Sequence, residues 1–246
     1  MWTLYDRLIE RAGFKANGDS VAMAIQGDNW TLVKTAAGRI GVAATHPART
    51  GRRLDGKSVC GMPVAEAAEF VKSWDFEMAS FGLAAINAVI NDASALPVTE
   101  NPDAFLRYKD RCIGKKVAVI GRFAYLENRL EGLCDLHVLE RLPGEKDYPD
   151  AACEYLLPDM DVVFITGCTA SNKTLPRLLQ LSQSAFTVIS GPSTPMDDAL
   201  LFMGANALCG FCVTDEAAAV SAANDCAKMF ASGRMVCIEK EEENHL

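Results

Sequence analysis

Apolar positions along the 246 residues follow one rhythm in the first hundred positions and another beyond them. Trp2, Tyr5, Leu8 and Ile9 share a face at helical spacing, which predicts a short amphipathic helix at the start. Three strand-like segments come next. Ser20 to Gln26 alternates Val21, Met23 and Ile25 with small residues, Trp30 to Thr35 repeats the pattern, and Arg39 to Ala43 closes it. Gly27-Asp28-Asn29 and Ala37-Gly38 supply turns at hairpin spacing, so the three segments read as an antiparallel meander. Pro63 then opens a helix through Phe70. Ser73 is positioned to cap a longer one, with Asp75 and Glu77 in its first turn, running to about Asn91. That second helix is apolar on most of its circumference, which predicts burial on several sides.

Asp92 to Asp103 has no period and carries Ser94, Pro97, Asn101 and Pro102, the composition of a linker. Beyond it, short continuous apolar runs alternate with helical stretches: Lys116–Ile120, Cys134–Leu139, Asp161–Thr166, Phe186–Ser190 and Ala207–Val213, with Met235–Glu239 as a sixth strand candidate. Continuous runs suit parallel strands covered on both faces by crossover helices. The expectation is an α/β chain of two domains, residues 1–104 built on the meander and residues 105–246 on a mostly parallel, Rossmann-like sheet. The tail Glu241 to Leu246 is expected to be solvated.

Composition narrows the function classes. Half the residues are hydrophobic and 23% are charged, which excludes general disorder. A net charge of −8 without a long basic run excludes nucleic acid as the main partner. The first residues lack the blocks of a signal peptide, and no apolar stretch is long enough to span a bilayer, so the expected setting is cytoplasmic, without a membrane partner. In that setting the nine cysteines are expected reduced and buried rather than bridged; Cys134, Cys168, Cys209 and Cys237 lie inside apolar runs.

Candidate chemistry gathers after the strands. Gly121 ends the run Val117 to Ile120, where a glycine lets a ligand approach the backbone, and Glu140 closes the next strand 19 positions on, where an acid would bond hydroxyls. The remaining glycines of the dinucleotide fingerprint are missing, and no cofactor is identified. Two further loops are predicted helix N-termini able to hold anions: Gly167 to Pro176, with Asn172, Lys173 and cap Thr174, and Ser190 to Pro195, with Gly191 and cap Thr194. On the long helix, Glu77, Ser80, Ala84, Asn87 and Asn91 form a small, polar stripe, read first as a solvated face and alternatively as a domain interface. The loop Thr45 to Arg53 concentrates arginines, whose forks suit phosphate or carboxylate, and His46 is the one histidine placed for chemistry. Cys209 and Cys212 form a C-x-x-C, but residues three apart on a strand face opposite sides, so a shared metal is not expected.

Taken together, Lys72-Ser73-Trp74 with Ala79 to Ala88, Gly114 to Phe123, and Asn172-Lys173-Thr174-Leu175-Pro176-Arg177 resemble the "putative heavy-metal chelation" family over nearly the whole chain. The resemblance implies an enolase N-terminal-like domain fused to a Rossmann-like domain, with a cleft between them. It implies an enzyme that condenses or hydrolyses a small chelator-like metabolite such as a pterin, flavin or siderophore-like molecule. The cleft residues it implies are Asn87, Gly121, Phe123, Glu140, Asn172, Thr174, Gly191 and Thr194, to which Lys173 is added for its charge. Glu140 is the acid–base candidate. The alternative is a non-catalytic binder of a chelator or metal complex. Storage of metal by thiolates is the weakest reading, because the cysteines are scattered. The expected partner is a small molecule, and self-association into a homo-oligomer stays open.

Overall fold

The computed structural model describes residues 2–46, 55–123 and 126–240, so the arginine loop beyond His46 and the acidic tail lie outside the described residues. Helix α1 (Thr3–Ala16) leads into strands β1 (Val21–Gln26), β2 (Trp30–Thr35) and β3 (Ile40–Ala44), which form the expected antiparallel meander. Helices α2 (Val64–Glu69) and α3 (Phe76–Ile90) complete the first half. The second half holds β4 (Lys116–Ile120), β5 (Asp135–Glu140), β6 (Tyr148–Pro149), β7 (Val162–Thr166), β8 (Phe186–Ser190), β9 (Ala207–Val213) and β10 (Gly233–Glu239). They lie in the order β10-β9-β8-β7-β4-β5-β6, with β10 antiparallel and every other pairing parallel. The chain leaves β4 towards β5 and returns to β7 on the other side, so the strand order reverses at β4. In open α/β sheets that reversal opens a crevice beyond the strand ends.

Four local expectations change. Trp2 lies outside the core and packs edge-on against Trp74 at 6.0 Å, while Leu4, Tyr5 and Leu8 carry the buried face. Asp75 caps α3, accepting from the amides of Glu77 and Met78, and Ser73 instead accepts from the Asp75 amide. Thr194 does not begin a helix; the helix starts at Asp198, with Asp197 accepting from the Ala199 amide. Thr174 precedes the helix Leu175–Leu181 but caps nothing, because its hydroxyl turns back to the Asn172 side chain.

The polar stripe of α3 is buried throughout, against the reading of a solvated face. It is the seam between the two sheets. The Ser80 hydroxyl donates to the Ala44 carbonyl at 2.9 Å. Asn87 Nδ2 donates to the carbonyls of Val42 and Ser193, and Asn91 Nδ2 to those of Thr194 and Phe211. Apolar packing is shared across the same seam: Leu4, Phe81 and Ile86 belong to one cluster with Ala118, Ile165 and Leu208. The Tyr5 hydroxyl reaches the Ala170 carbonyl at 3.1 Å.

No regular element occupies the segment between α3 and Ala104, yet the segment is tied down. The Arg234 guanidinium donates to the carbonyls of Ala93, Leu96 and Pro97, and Thr99 Oγ1 donates to the Cys237 carbonyl and accepts from its amide. The cysteines also depart from expectation. Cys209 and Cys237 stand opposite each other in the β9–β10 ladder, 4.2 Å apart at Cα, and are joined by a disulfide; seven others are free. Such a close approach belongs to the non-hydrogen-bonded positions of antiparallel pairs. Cys209 and Cys212 pack on opposite faces of β9, as the strand's period of two requires.

Candidate functional site

Beyond the ends of β4, β5 and β7 lies a cleft of about 700 Å3. Gly121 ends β4 with φ +92°, and a Cβ there would stand 2.6 Å from Thr166 Cγ2, so the chain needs glycine on both counts. Glu140 ends β5. One of its carboxylate oxygens accepts from the Arg122 amide and the other from the Arg141 amide, which fixes the side chain across the mouth of the switch point. β7 ends at Thr166, whose hydroxyl donates to Cys168 Sγ at 3.3 Å, and burial pushes the Cys168 thiol pKa up. In the following loop, Asn172 Oδ1 accepts from the amide and hydroxyl of Thr174. Lys173 between them has φ +70°, and its Nζ donates to the Ser171 carbonyl at 2.6 Å.

Gly121, Glu140, Asn172, Lys173 and Thr174 therefore line one cavity. Four other expected residues do not. Asn87 and Thr194 are fully buried in the seam. Phe123 packs its ring on Phe105 at 5.2 Å, and Gly191, past the next strand, faces Phe123. His46 joins the cavity from the end of the meander, the one first-half residue among the described lining residues. Cys168, Arg141 and Arg177 also line it and were not singled out for chemistry from the sequence. Their signal was position alone: each follows a strand end whose neighbours were recognised.

His46 is buried, and its Nε2 lies 2.9 Å from an Arg141 guanidinium nitrogen. Arginine can only donate, so Nε2 accepts and the neutral ring carries its proton on Nδ1. Burial lowers the His46 pKa to about 4, with the charges of Arg141 and Lys173 adding to the effect. A histidine held neutral in the fold binds its proton more readily once unfolded. Between pH 6.5 and 4 the unfolded state therefore holds more protons, and the stability His46 contributes above 6.5 is lost as the pH falls through that window. The expected loss is up to about 3 kcal/mol. Urea unfolding at pH 7, 5.5 and 4 should show a slope that His46→Gln flattens; an identical slope in the variant would rule His46 out as its source.

Several donors of the cleft are already engaged. Both Glu140 oxygens already accept amides, His46 Nε2 faces a guanidinium, and the Cys168 thiol is held protonated by burial. Among the described residues, no group of three or more His, Cys, Asp or Glu could hold a metal ion. No helix among them is long and apolar enough to cross a membrane.

Two family models, both described as "putative heavy-metal chelation", match the chain: DUF4213 over residues 5–90 and DUF364 over residues 103–239. The chain belongs to the DUF364 family. A DUF364 protein of unknown function from Desulfitobacterium hafniense shares 35% identity, with a TM-score of 0.88 over 98% of this chain and 99% of that one. Another, from Pyrococcus horikoshii, shares the fold at 22% identity, with a TM-score of 0.80 over 96% of this chain and 100% of that one. An uncharacterised protein of Methanocaldococcus jannaschii is 32% identical over 135 residues, 49% of each chain, so the match spans about half of that relative. This DUF364 chain thus shares its overall fold with solved relatives.

Proposed function

We propose that the cleft at the β4 switch point binds a small polar or anionic metabolite connected with heavy-metal chelation, of the pterin, flavin or siderophore-like kind, and acts on it. The observation that carries this reading is the opposition of charges in one cavity, within a chain of net charge −8: Lys173 and Arg141 beside the Phe76 ring, Glu140 across the mouth, Asp150 at the margin, and Arg177 already paired with Glu154. Cationic walls select carboxylate or phosphate oxygens, and Glu140 takes hydroxyl or amine donors. The division into domains 1–104 and 105–246 belongs to the same proposal, with His46 as the first domain's contribution to the cavity.

In the catalytic form of the proposal, Glu140 moves protons during condensation or hydrolysis of the metabolite. A second reading, a non-catalytic binder of a chelator or metal complex, draws support from one feature: both Glu140 oxygens are already engaged by amides, as suits a positioning group. Turnover separates the two, since a binder saturates without product.

The test begins with an untargeted mass-spectrometric search for molecules that co-purify with the protein, followed by calorimetry. A hydrogen bond to a charged group contributes roughly 1.5–3 kcal/mol, so Glu140→Gln and Asn172→Ala should each weaken binding about ten- to a hundredfold. Asn172→Ala also frees the Thr174 amide and hydroxyl, and a melt recorded beside it separates that stability effect. Unchanged affinity in both variants would move the site elsewhere, with the arginine loop around Arg49–Arg53 the next place to look.

A further inference from the structure

The Lys173 ammonium has an unusual setting. The side chain is half-buried, its Nζ donates to the Ser171 carbonyl, and it stands 5.3 Å from the centre of the Phe76 ring. The Arg141 guanidinium approaches the same ring at 5.6 Å, and the His46 ring lies 4.9 Å from it. One aromatic ring from the start of α3 thus gathers two cations and an imidazole. Among the described residues, no carboxylate forms an ion pair with Lys173. Its backbone is also left-handed at φ +70°, a conformation that disfavours a lysine by roughly 1–2 kcal/mol.

For simple attraction of an anion, a guanidinium already stands there, and it would be the better group because it never loses its charge. What lysine adds is a free electron pair when it is neutral. Removal from water favours that neutral form.

We propose that Lys173 acts as a nucleophilic amine that forms a covalent imine with a carbonyl group of an anionic ligand in the cleft. The inference rests on the reading of the cleft as a metabolite site. In the step, the Nζ lone pair adds to the carbonyl carbon while the carbonyl π electrons move to oxygen, which takes up a proton. The carbinolamine then loses that oxygen as water, with both amine hydrogens leaving through it and the solvent, and the C=N bond forms. No oxidant or reductant is consumed. Arg141 holds the ligand's anionic group, while Arg177 in the same lining is paired with Glu154. The groups facing Lys173 are His46 from the end of the meander, Arg141 after β5, and Phe76 on α3; the other titratable groups of the cavity are Glu140, Cys168, Arg122, Asp150, Cys153 and the Glu154–Arg177 pair.

Burial lowers the Lys173 pKa to about 8. At pH 7 that leaves on the order of a hundredfold more free amine than an ordinary lysine holds. The experiment treats the whole protein with pyridoxal 5′-phosphate, an anionic aldehyde, then with borohydride to fix imines, and maps labelled lysines by mass spectrometry. Lys173 should label about ten- to a hundredfold faster than Lys228, whose side chain is 74% exposed, with a rate that rises to half its maximum near pH 8. Inorganic phosphate should slow labelling of Lys173 and not of Lys228. Lys173→Arg should melt as the parent does and lose the fast site alone.

Labelling of Lys173 no faster than Lys228 overturns the amine. If calorimetry still shows the co-purified metabolite binding in a manner sensitive to Glu140→Gln, the cleft reading stands without it. Equal labelling together with binding insensitive to Glu140→Gln overturns both.

Discussion

Asn91→Ala should lower the stability of the whole chain by about 3–5 kcal/mol and the melting temperature by about 10 °C or more. Asn91 is buried at the end of α3, where its Nδ2 donates to the carbonyls of Thr194 and Phe211 and its Oδ1 accepts from the Met196 amide at 2.9 Å. All three partners are backbone groups of the second half, on β9 and the loop after β8. Alanine would leave each without a partner and out of reach of bulk water, and an orphaned buried group costs roughly 1–3 kcal/mol. Asn91→Asp is no rescue, because it puts a charge into the seam and removes the donor that two carbonyls need. Thermal melts with urea titrations decide the matter. A loss under about 1 kcal/mol would mean that water replaces Asn91 and that the seam holds without it.

Gly41→Ala should be at least as damaging, by about 3 kcal/mol or more, with accumulation as insoluble protein the expected outcome of expression. A Cβ at Gly41 on β3 would lie 2.1 Å from the Ala88 amide nitrogen and 2.2 Å from the Ala84 carbonyl oxygen. Both are backbone atoms of α3, so no side chain can swing aside; the helix itself must lift from the meander. Ala84 shares its stripe with Asn87 and Asn91, so that displacement would also disturb their bonds to the carbonyls of Val42, Ser193, Thr194 and Phe211. Gly13→Ala is the control. It sits inside α1 with only the Ala65 Cβ at 3.5 Å, and should be neutral or stabilising by up to about 1 kcal/mol. A soluble Gly41→Ala protein that melts with the parent would show that α3 is free to shift.

Much of the fold was legible because its strands carry their burial in their composition. Lys116–Ile120 and Phe186–Ser190 occupy the stretches expected of them, since a strand covered on both faces must be apolar along its length. The stripe on α3 was not legible in the same way. Small polar residues at helical spacing suit a solvated face as well as a seam, and only carbonyls 36 to 120 residues away tell the two apart. Register was out of reach too: Cys209 and Cys237 are 28 residues apart, and nothing local says that they face each other. At the cleft, Gly121 and Glu140 were found because strand ends have a known chemistry in this architecture. Cys168 was absorbed into an apolar run, and nothing in the local sequence singled out Arg141.

The fastening of residues 93–99 along β10 bears on how the molecule behaves at high concentration. Outermost strands of open sheets present unpaired amides and carbonyls that can recruit a strand from another molecule. On β10 the outward amide and carbonyl of Cys237 are both taken by Thr99, and the clamp of Arg234 on Ala93, Leu96 and Pro97 holds that cover against the strand. The opposite margin ends in β6, two residues long and closed by Pro149, which has no amide to offer. Both margins of the seven-stranded sheet are thus blunted against growth by strand addition, so the connection between the halves also serves as a guard against fibrous self-assembly.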